Sequence, residues 1–180
     1  DLLLANDHYF RGINLRYGPD GSVYLIDWYD KNACHRTNPE IWDRSNGRIY
    51  RISYGDVKTP AFMVDEWTTK KIVEAHLHKN EWYSKTLRTG LMQYGRTKEL
   101  TDELSGLTFD ASQPVAVRLR CLWTLHVTGA IDEPMTLKLL VDNDEYIRAW
   151  AIQLELEDKT ASEVILRRLE ELAATDPSPV

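Results

Sequence analysis

Apolar side chains occupy every second position in Ile13-Asn14-Leu15-Arg16-Tyr17, the period of a half-buried β-strand. The next four residues, Gly18-Pro19-Asp20-Gly21, carry turn chemistry: glycine tolerates positive φ, and proline holds φ at about −65°. Ser22-Val23-Tyr24-Leu25-Ile26-Asp27-Trp28 then supplies a second run rich in β-branched and aromatic residues, so the two predict a hairpin. A polar stretch covers 29–46, after which Gly47-Arg48-Ile49-Tyr50-Arg51-Ile52-Ser53-Tyr54 alternates again and stops at Gly55. Two or three strands with this much apolar surface fall short of an independent domain, for which about three strands and a covered face are the minimum. They are expected to belong to a larger sheet, and the chain to be a piece of a longer protein.

From Asp65 onward the period turns helical. Thr68 or Thr69 caps a helix ending near residue 78, and Asn80-Glu81 opens one over 82–94 that Gly95 stops. Further helices are predicted at 97–107, 114–128, 134–141, 144–156 and 162–174. Pro114 and Pro134 stand where first-turn prolines are tolerated, Gly129 marks a stop, and Ser162 is a cap.

The helices also repeat. Lys85, Arg118 and Arg148 each sit early in a helix, at nearly equal intervals along the chain. Asn80-Glu81-Trp82-Tyr83-Ser84-Lys85 matches Asn143-Asp144-Glu145-Tyr146-Ile147-Arg148 in its Asn-acid start, its tyrosine and its final base. A period of roughly 30 residues built from helix pairs is the mark of an α-solenoid, here of HEAT-like type. The fold class expected is therefore mainly α with a small β part. Residues 1–57 would be terminal strands of a β-propeller blade, 58–66 a linker, and 67–180 helical repeats.

Composition narrows the partners. With 43% hydrophobic and 28% charged residues, the chain of 180 residues reads as a folded globular protein. Its net charge of −6 is unevenly spread: residues 1–60 hold eight acids and eight bases, whereas 142–176 hold ten acids against four bases. No basic stripe exists to neutralise phosphates, which argues against nucleic acid, and no apolar run reaches the roughly 18–20 residues of a membrane span. Asp1-Leu2-Leu3-Leu4 is no signal peptide, and the missing initiator methionine suggests truncation or processing. Cys34 and Cys121 have neither disulfide-framework nor metal-site spacing.

Taken in order, Phe10-Arg11-Gly12-Ile13-Asn14-Leu15-Arg16-Tyr17-Gly18-Pro19-Asp20-Gly21, Val23–Asp27 with Trp28-Tyr29-Asp30, and Asp43-Arg44-Ser45-Asn46-Gly47-Arg48-Ile49-Tyr50-Arg51-Ile52 resemble a known propeller ending. It is that of the membrane-bound dehydrogenase-like proteins common in planctomycetes and verrucomicrobia. The helical part, with Leu119, Trp123, Leu125, His126 and Ile147-Arg148-Ala149-Trp150-Ala151, is similar to the same family. The resemblance implies a large exported, extracytoplasmic protein. Its propeller is like sorbosone and soluble glucose dehydrogenases, and is followed by HEAT-like repeats and often by a c-type cytochrome domain. It also implies a quinone-type cofactor and c-type haem elsewhere in the parent protein, with none in this segment. Two departures stand out: Asn46 replaces a histidine that many members carry, and no Cys-x-x-Cys-His occurs.

The densest chemistry lies in Asp27-Trp28-Tyr29-Asp30-Lys31-Asn32-Ala33-Cys34-His35-Arg36. One reading makes Asp27, Asp30, Cys34 and His35 a ligand or metal site. The other has Asp27 and Asp30 satisfying loop amides and pairing with Arg44 or Arg48. Adjacent Cys34-His35 is poor metal spacing, so no metal is assigned. Candidate ligand-binding residues are Asp27, Asp30, His35, Arg44 and Arg48, the arginines suiting carboxylate or phosphate; no catalytic residue is assigned. His76 and His78 diverge by about 200° on a helix and make no metal pair. His126 is expected to be half-buried and hydrogen-bonded, Cys121 to be buried, and Trp82, Trp123 and Trp150 to be core. Two functions follow. One is a propeller-closing scaffold and spacer in an electron-transfer protein, its partners being the rest of the propeller and a downstream domain. The other is a non-catalytic module binding a protein or polysaccharide on the solenoid or propeller mouth.

Overall fold

A computed structural model describes residues 3–32, 46–60 and 67–179. The chain divides into two compact units, Asp1–Val64 and Asp65–Val180. Among the described residues the structure is mainly helical with one small antiparallel sheet.

In the first unit, β1 (Gly12–Tyr17), β2 (Val23–Asp27) and β3 (Arg48–Ile52) pair in the order β1-β2-β3. The β1–β2 turn closes as its residues require. Gly18 accepts from the Gly21 amide at 3.0 Å, and Gly21 takes φ of 77° so that the Gly18 amide can return to Ser22. Register places Ile13, Ile26 and Ile49 side by side on one face, and Asp27 opposite Arg48 and Gly12 on the other. Strand β1 departs from the strict alternation its sequence predicts. Its register slips between Ile13 and Arg16, where Asn14 takes φ of 59°, a β-bulge at a residue type that tolerates the left-handed region. β3 is shorter than its alternating run, covering 48–52 rather than 47–54.

Little of this sheet is covered. Leu25 is buried against Phe10, whose ring meets Tyr50 edge to face at 5.9 Å and would collide with any side chain at Gly12. On the opposite face Ile13 and Ile26 are exposed, and Ile49 is 76% exposed.

The second unit contains α1 (Thr69–Leu77), α2 (Trp82–Tyr94), α3 (Lys98–Phe109), α4 (Val115–Val127), α5 (Glu133–Leu139), α6 (Glu145–Glu155) and α7 (Glu163–Thr175). Capping side chains fix most starts: Thr68, Thr97, Asp132, Asp144 and Ser162 each accept an amide of the first turn. Each such cap stabilises its helix by about 1 kcal/mol. Ahead of α2 the Asn80 side chain accepts the Trp82 amide at 3.0 Å. α3 runs to Phe109, past its predicted end at 107.

Helices α2, α4 and α6 are successive neighbours, with α3 packed closely on α4 and α5 touching both α6 and α7. The core joins Leu122, Leu139, Leu140, Ile147 and Ile165, all essentially inaccessible. Burying each such side chain is worth roughly 1.5–3 kcal/mol. Trp123 and Trp150 meet edge to face at 4.9 Å but, like Trp82, are only half-buried. They flank the core rather than fill it. Gly90 is needed for packing inside α2, because a Cβ there would lie within the indole of Trp67.

Candidate functional site

Asp27 ends β2, where the chain keeps pairing beyond the sheet: the Trp28 amide donates to the Arg11 carbonyl and the Asp30 amide to the Tyr9 carbonyl, both at 3.0 Å. Its carboxylate is 1% exposed. Oδ1 accepts the amides of Arg11 at 2.9 Å and Tyr29 at 3.0 Å. Oδ2 has no hydrogen-bond partner and lies 3.9 Å from Arg48 Nη1, whose guanidinium also stacks over the Tyr29 ring at 5.1 Å. Asp30 accepts the Asn32 amide at 3.0 Å. Of the five sequence-assigned ligand residues, the fold brings Asp27 and Arg48 together and leaves Asp30 to order its own turn. His35 and Arg44, like neighbouring Cys34, lie outside the described residues.

Asp20 does more than shape a turn. Its enclosed carboxylate accepts the Ser22 amide at 2.9 Å, the Thr59 hydroxyl at 3.3 Å and the Arg51 guanidinium at 2.6 Å. Desolvation pushes its pKa upward, but the Ser22 hydrogen bond and the Arg51 charge outweigh that and hold it below the usual carboxylate range. Arg51 and Thr59 lie far along the chain, so no local signal could have shown this clasp.

In the helical unit the polar centres are arginines. Arg118, buried on α4, donates to the Thr108 carbonyl at the end of α3 at 2.8 Å and pairs with Asp142 before α6. Arg148 on α6 makes a similar set of links: it donates to the Asp142 carbonyl at 2.9 Å and forks onto Asp176 at 2.7 and 2.6 Å. Lys85, the expected third member, pairs with Glu81 at the N-cap of its own helix, at 3.0 Å. Arg120 ties α4 to the α1 end instead, through the His78 carbonyl at 2.8 Å.

His76 is fully buried, with Nδ1 at 2.7 Å from the Ile72 carbonyl and Nε2 at 2.8 Å from the Thr124 hydroxyl. A carbonyl only accepts, so Nδ1 carries the proton; the Thr124 hydroxyl lies within reach of both Nε2 and the Arg120 carbonyl, at 3.0 Å, and has one proton to give. Desolvation drives its pKa down to about 4; the Ile72 bond opposes this, and the charges of Arg88 and Arg120 add to it. Cys121 is buried, and desolvation raises its thiol to about 12, which leaves it inert as a nucleophile. His78 stands beyond α1 as its cap residue and accepts the Asn80 amide at 2.9 Å.

One open cleft of about 600 Å³ lies among the end of α4, α5 and the α6–α7 connection. His126 Nε2 faces Glu157 Oε2 at 2.6 Å across its mouth, and Thr136 donates to Glu155 at 3.0 Å. The half-buried, hydrogen-bonded state expected for His126 is found, but its partner lies beyond α6 and gave no sequence signal. Among the described residues no three histidines, cysteines or acids are placed to hold a metal ion, and no helix is long and apolar enough to cross a membrane.

Residues 1–56 match the family model of DUF7133, a domain of unknown function. No curated protein and no solved structure matches the chain. This chain is thus similar, over its strand-bearing first third, to a family that carries no assigned activity.

Proposed function

We propose that this chain is a propeller-closing and spacer segment of a larger exported, dehydrogenase-like electron-transfer protein. Residues 1–57 would serve as terminal strands of a β-propeller blade and 67–180 as a HEAT-like scaffold. The observation that carries the reading is the uncovered sheet: a row of three isoleucines on one face, with β1 and β3 both at edges among the described residues. A lone three-stranded sheet with an open apolar face is marginal in water, whereas a blade within a propeller is covered. The arginine links of Arg118 and Arg148, repeated from one helix pair to the next, support the helical-repeat half. On this reading a quinone-type cofactor and c-type haem belong to other parts of the parent.

Hydrogen exchange on the chain alone and within its full-length parent tests this. Amides of β1 and β3 should exchange freely in the first and be protected in the second; equal exchange in both would sink the blade reading. The isolated chain should show no turnover and no haem or quinone absorbance, and stoichiometric uptake of either group would overturn the spacer role. The cleft beside His126 favours a second reading, a non-catalytic module that binds a protein partner.

A further inference from the structure

We propose that the cleft beside His126 docks a lysine or arginine side chain presented by a segment of a partner protein. The inference rests on the helical unit alone and not on the electron-transfer reading. The floor of the cleft is apolar, made by Ile131, Leu139, Ala151 and Leu154. Its rim carries Glu155, Glu157 and Asp158, and among the described residues no lysine or arginine lines it. Lys159, between Asp158 and Thr160, is exposed and outside the lining.

The carboxylates are not equally free. Asp158 caps its own turn through the Thr160 amide and hydroxyl at 2.9 and 2.7 Å. Glu155 and Glu157 each engage one oxygen, with Thr136 and His126 respectively, which leaves one oxygen of each to a ligand. These internal bonds also hold the two carboxylates in place, so less rotamer freedom is lost on binding. An anion would be repelled, and a neutral apolar group would cover the floor while stripping water from the carboxylates without compensation. A cationic head on an aliphatic stem satisfies both parts: the stem lies along Leu154 and Ile131, and the head reaches the glutamates. A cleft of about 600 Å³ exceeds what one such side chain fills, leaving room for the backbone that carries it. That surplus points to a peptide segment rather than a free amine.

The test is an NMR titration of the full 180-residue chain with three probes. The first is an acetylated, amidated pentapeptide with a central lysine among alanines, the second its glutamine counterpart, and the third is cadaverine. The lysine peptide should shift the His126 and Ala161 resonances saturably, with a Kd on the order of 1 mM that weakens as salt is raised. Glu155→Gln and Glu157→Gln should each weaken it by about threefold to fivefold, the scale of one partly screened ion pair. Both substitutions keep an oxygen acceptor for Thr136 or His126, and unchanged amide spectra of the variants would show the fold intact. No shift up to about 10 mM, equal binding of the glutamine peptide, or unaltered affinity in both variants would overturn the proposal. Cadaverine matching the lysine peptide would overturn the docked segment in favour of a free amine.

Discussion

His76 shows what burial does to a single residue. Its ring is enclosed between α1 and α4, with one nitrogen on Ile72 and the other on Thr124, and two arginines close by. The folded state therefore keeps it neutral, with its pKa pushed to about 4, while the unfolded chain protonates it near 6.5. The unfolded state binds the extra proton throughout that window, so the stability His76 contributes is complete above pH 6.5. It is lost progressively as pH falls towards 4. The loss should reach on the order of 3 kcal/mol, from about 1.4 kcal/mol per pH unit across the window. Urea melts at pH 7.5 and 4.5 check this: His76→Leu should be weaker at neutral pH but lose much less on acidification. Equal acid sensitivity in the variant would place the effect on other groups. The low carboxyl pKa values of Asp20 and Asp176 act in the same direction but only at lower pH. From sequence, His76 and His78 are set apart by placing both on one helix, whereas His78 lies beyond the end of α1. The neutrality of His76 could not be read, because Thr124 and Arg120 arrive from α4, three helices further along the chain.

At the scale of the element, two helical glycines that look alike in sequence behave oppositely. Gly106 in α3 faces open space, whereas a Cβ on Gly90 in α2 would enter the Trp67 ring. Alanine lowers the cost of a helix interior by up to about 1 kcal/mol relative to glycine. Gly106→Ala should therefore raise stability by about 0.5–1 kcal/mol. Gly90→Ala should lower it by about 1–3 kcal/mol, the usual cost of overpacking. Thermal melts of the two variants should shift in opposite directions, and a stabilised Gly90→Ala would show that Trp67 moves aside freely. The ends of the helices were otherwise legible: Thr68 and Ser162 cap where their side chains predicted, and Gly95 ends α2 with φ of 79°. Strand β1 was less so, because a bulge changes register without changing the apolar count, and Asn14 is a common residue elsewhere.

For the whole molecule, the fold leaves one apolar face of the first unit's sheet exposed among the described residues and closes the core of the second. Ile13, Ile26 and Ile49, side by side on one face of the sheet, remain exposed in the first unit, while the leucine and isoleucine centre of the second is sealed. Contiguous apolar surface of this kind marks an interaction site or an association liability. The isolated chain should therefore self-associate with rising concentration, and Ile49→Lys should suppress this several-fold. Sedimentation velocity over a wide concentration range would show it; a wild-type chain that stays monomeric throughout would remove the sheet face as a docking surface. Charged side chains on an edge strand are a common natural defence against such pairing; β3 carries Arg48 and Arg51, and Ile49→Lys adds a third.

The sequence by itself determined whatever depends on neighbours along the chain. Alternation set the strands, a period near 3.6 set the helices, and threonine, serine, aspartate, glycine and proline set their ends, because these act through backbone geometry within a few residues. It also carried the even spacing of Arg118 and Arg148, which is a count along the chain. Tertiary structure alone decided which charges meet: Asp20 with Arg51, Asp27 with Arg48, Arg118 with Asp142, His126 with Glu157. It likewise decided that the mixed cleft lies between α4, α5 and α6. The physical reason is that burial and Coulomb energy depend on distance through space, and packing brings together groups far apart in the chain that no local period relates.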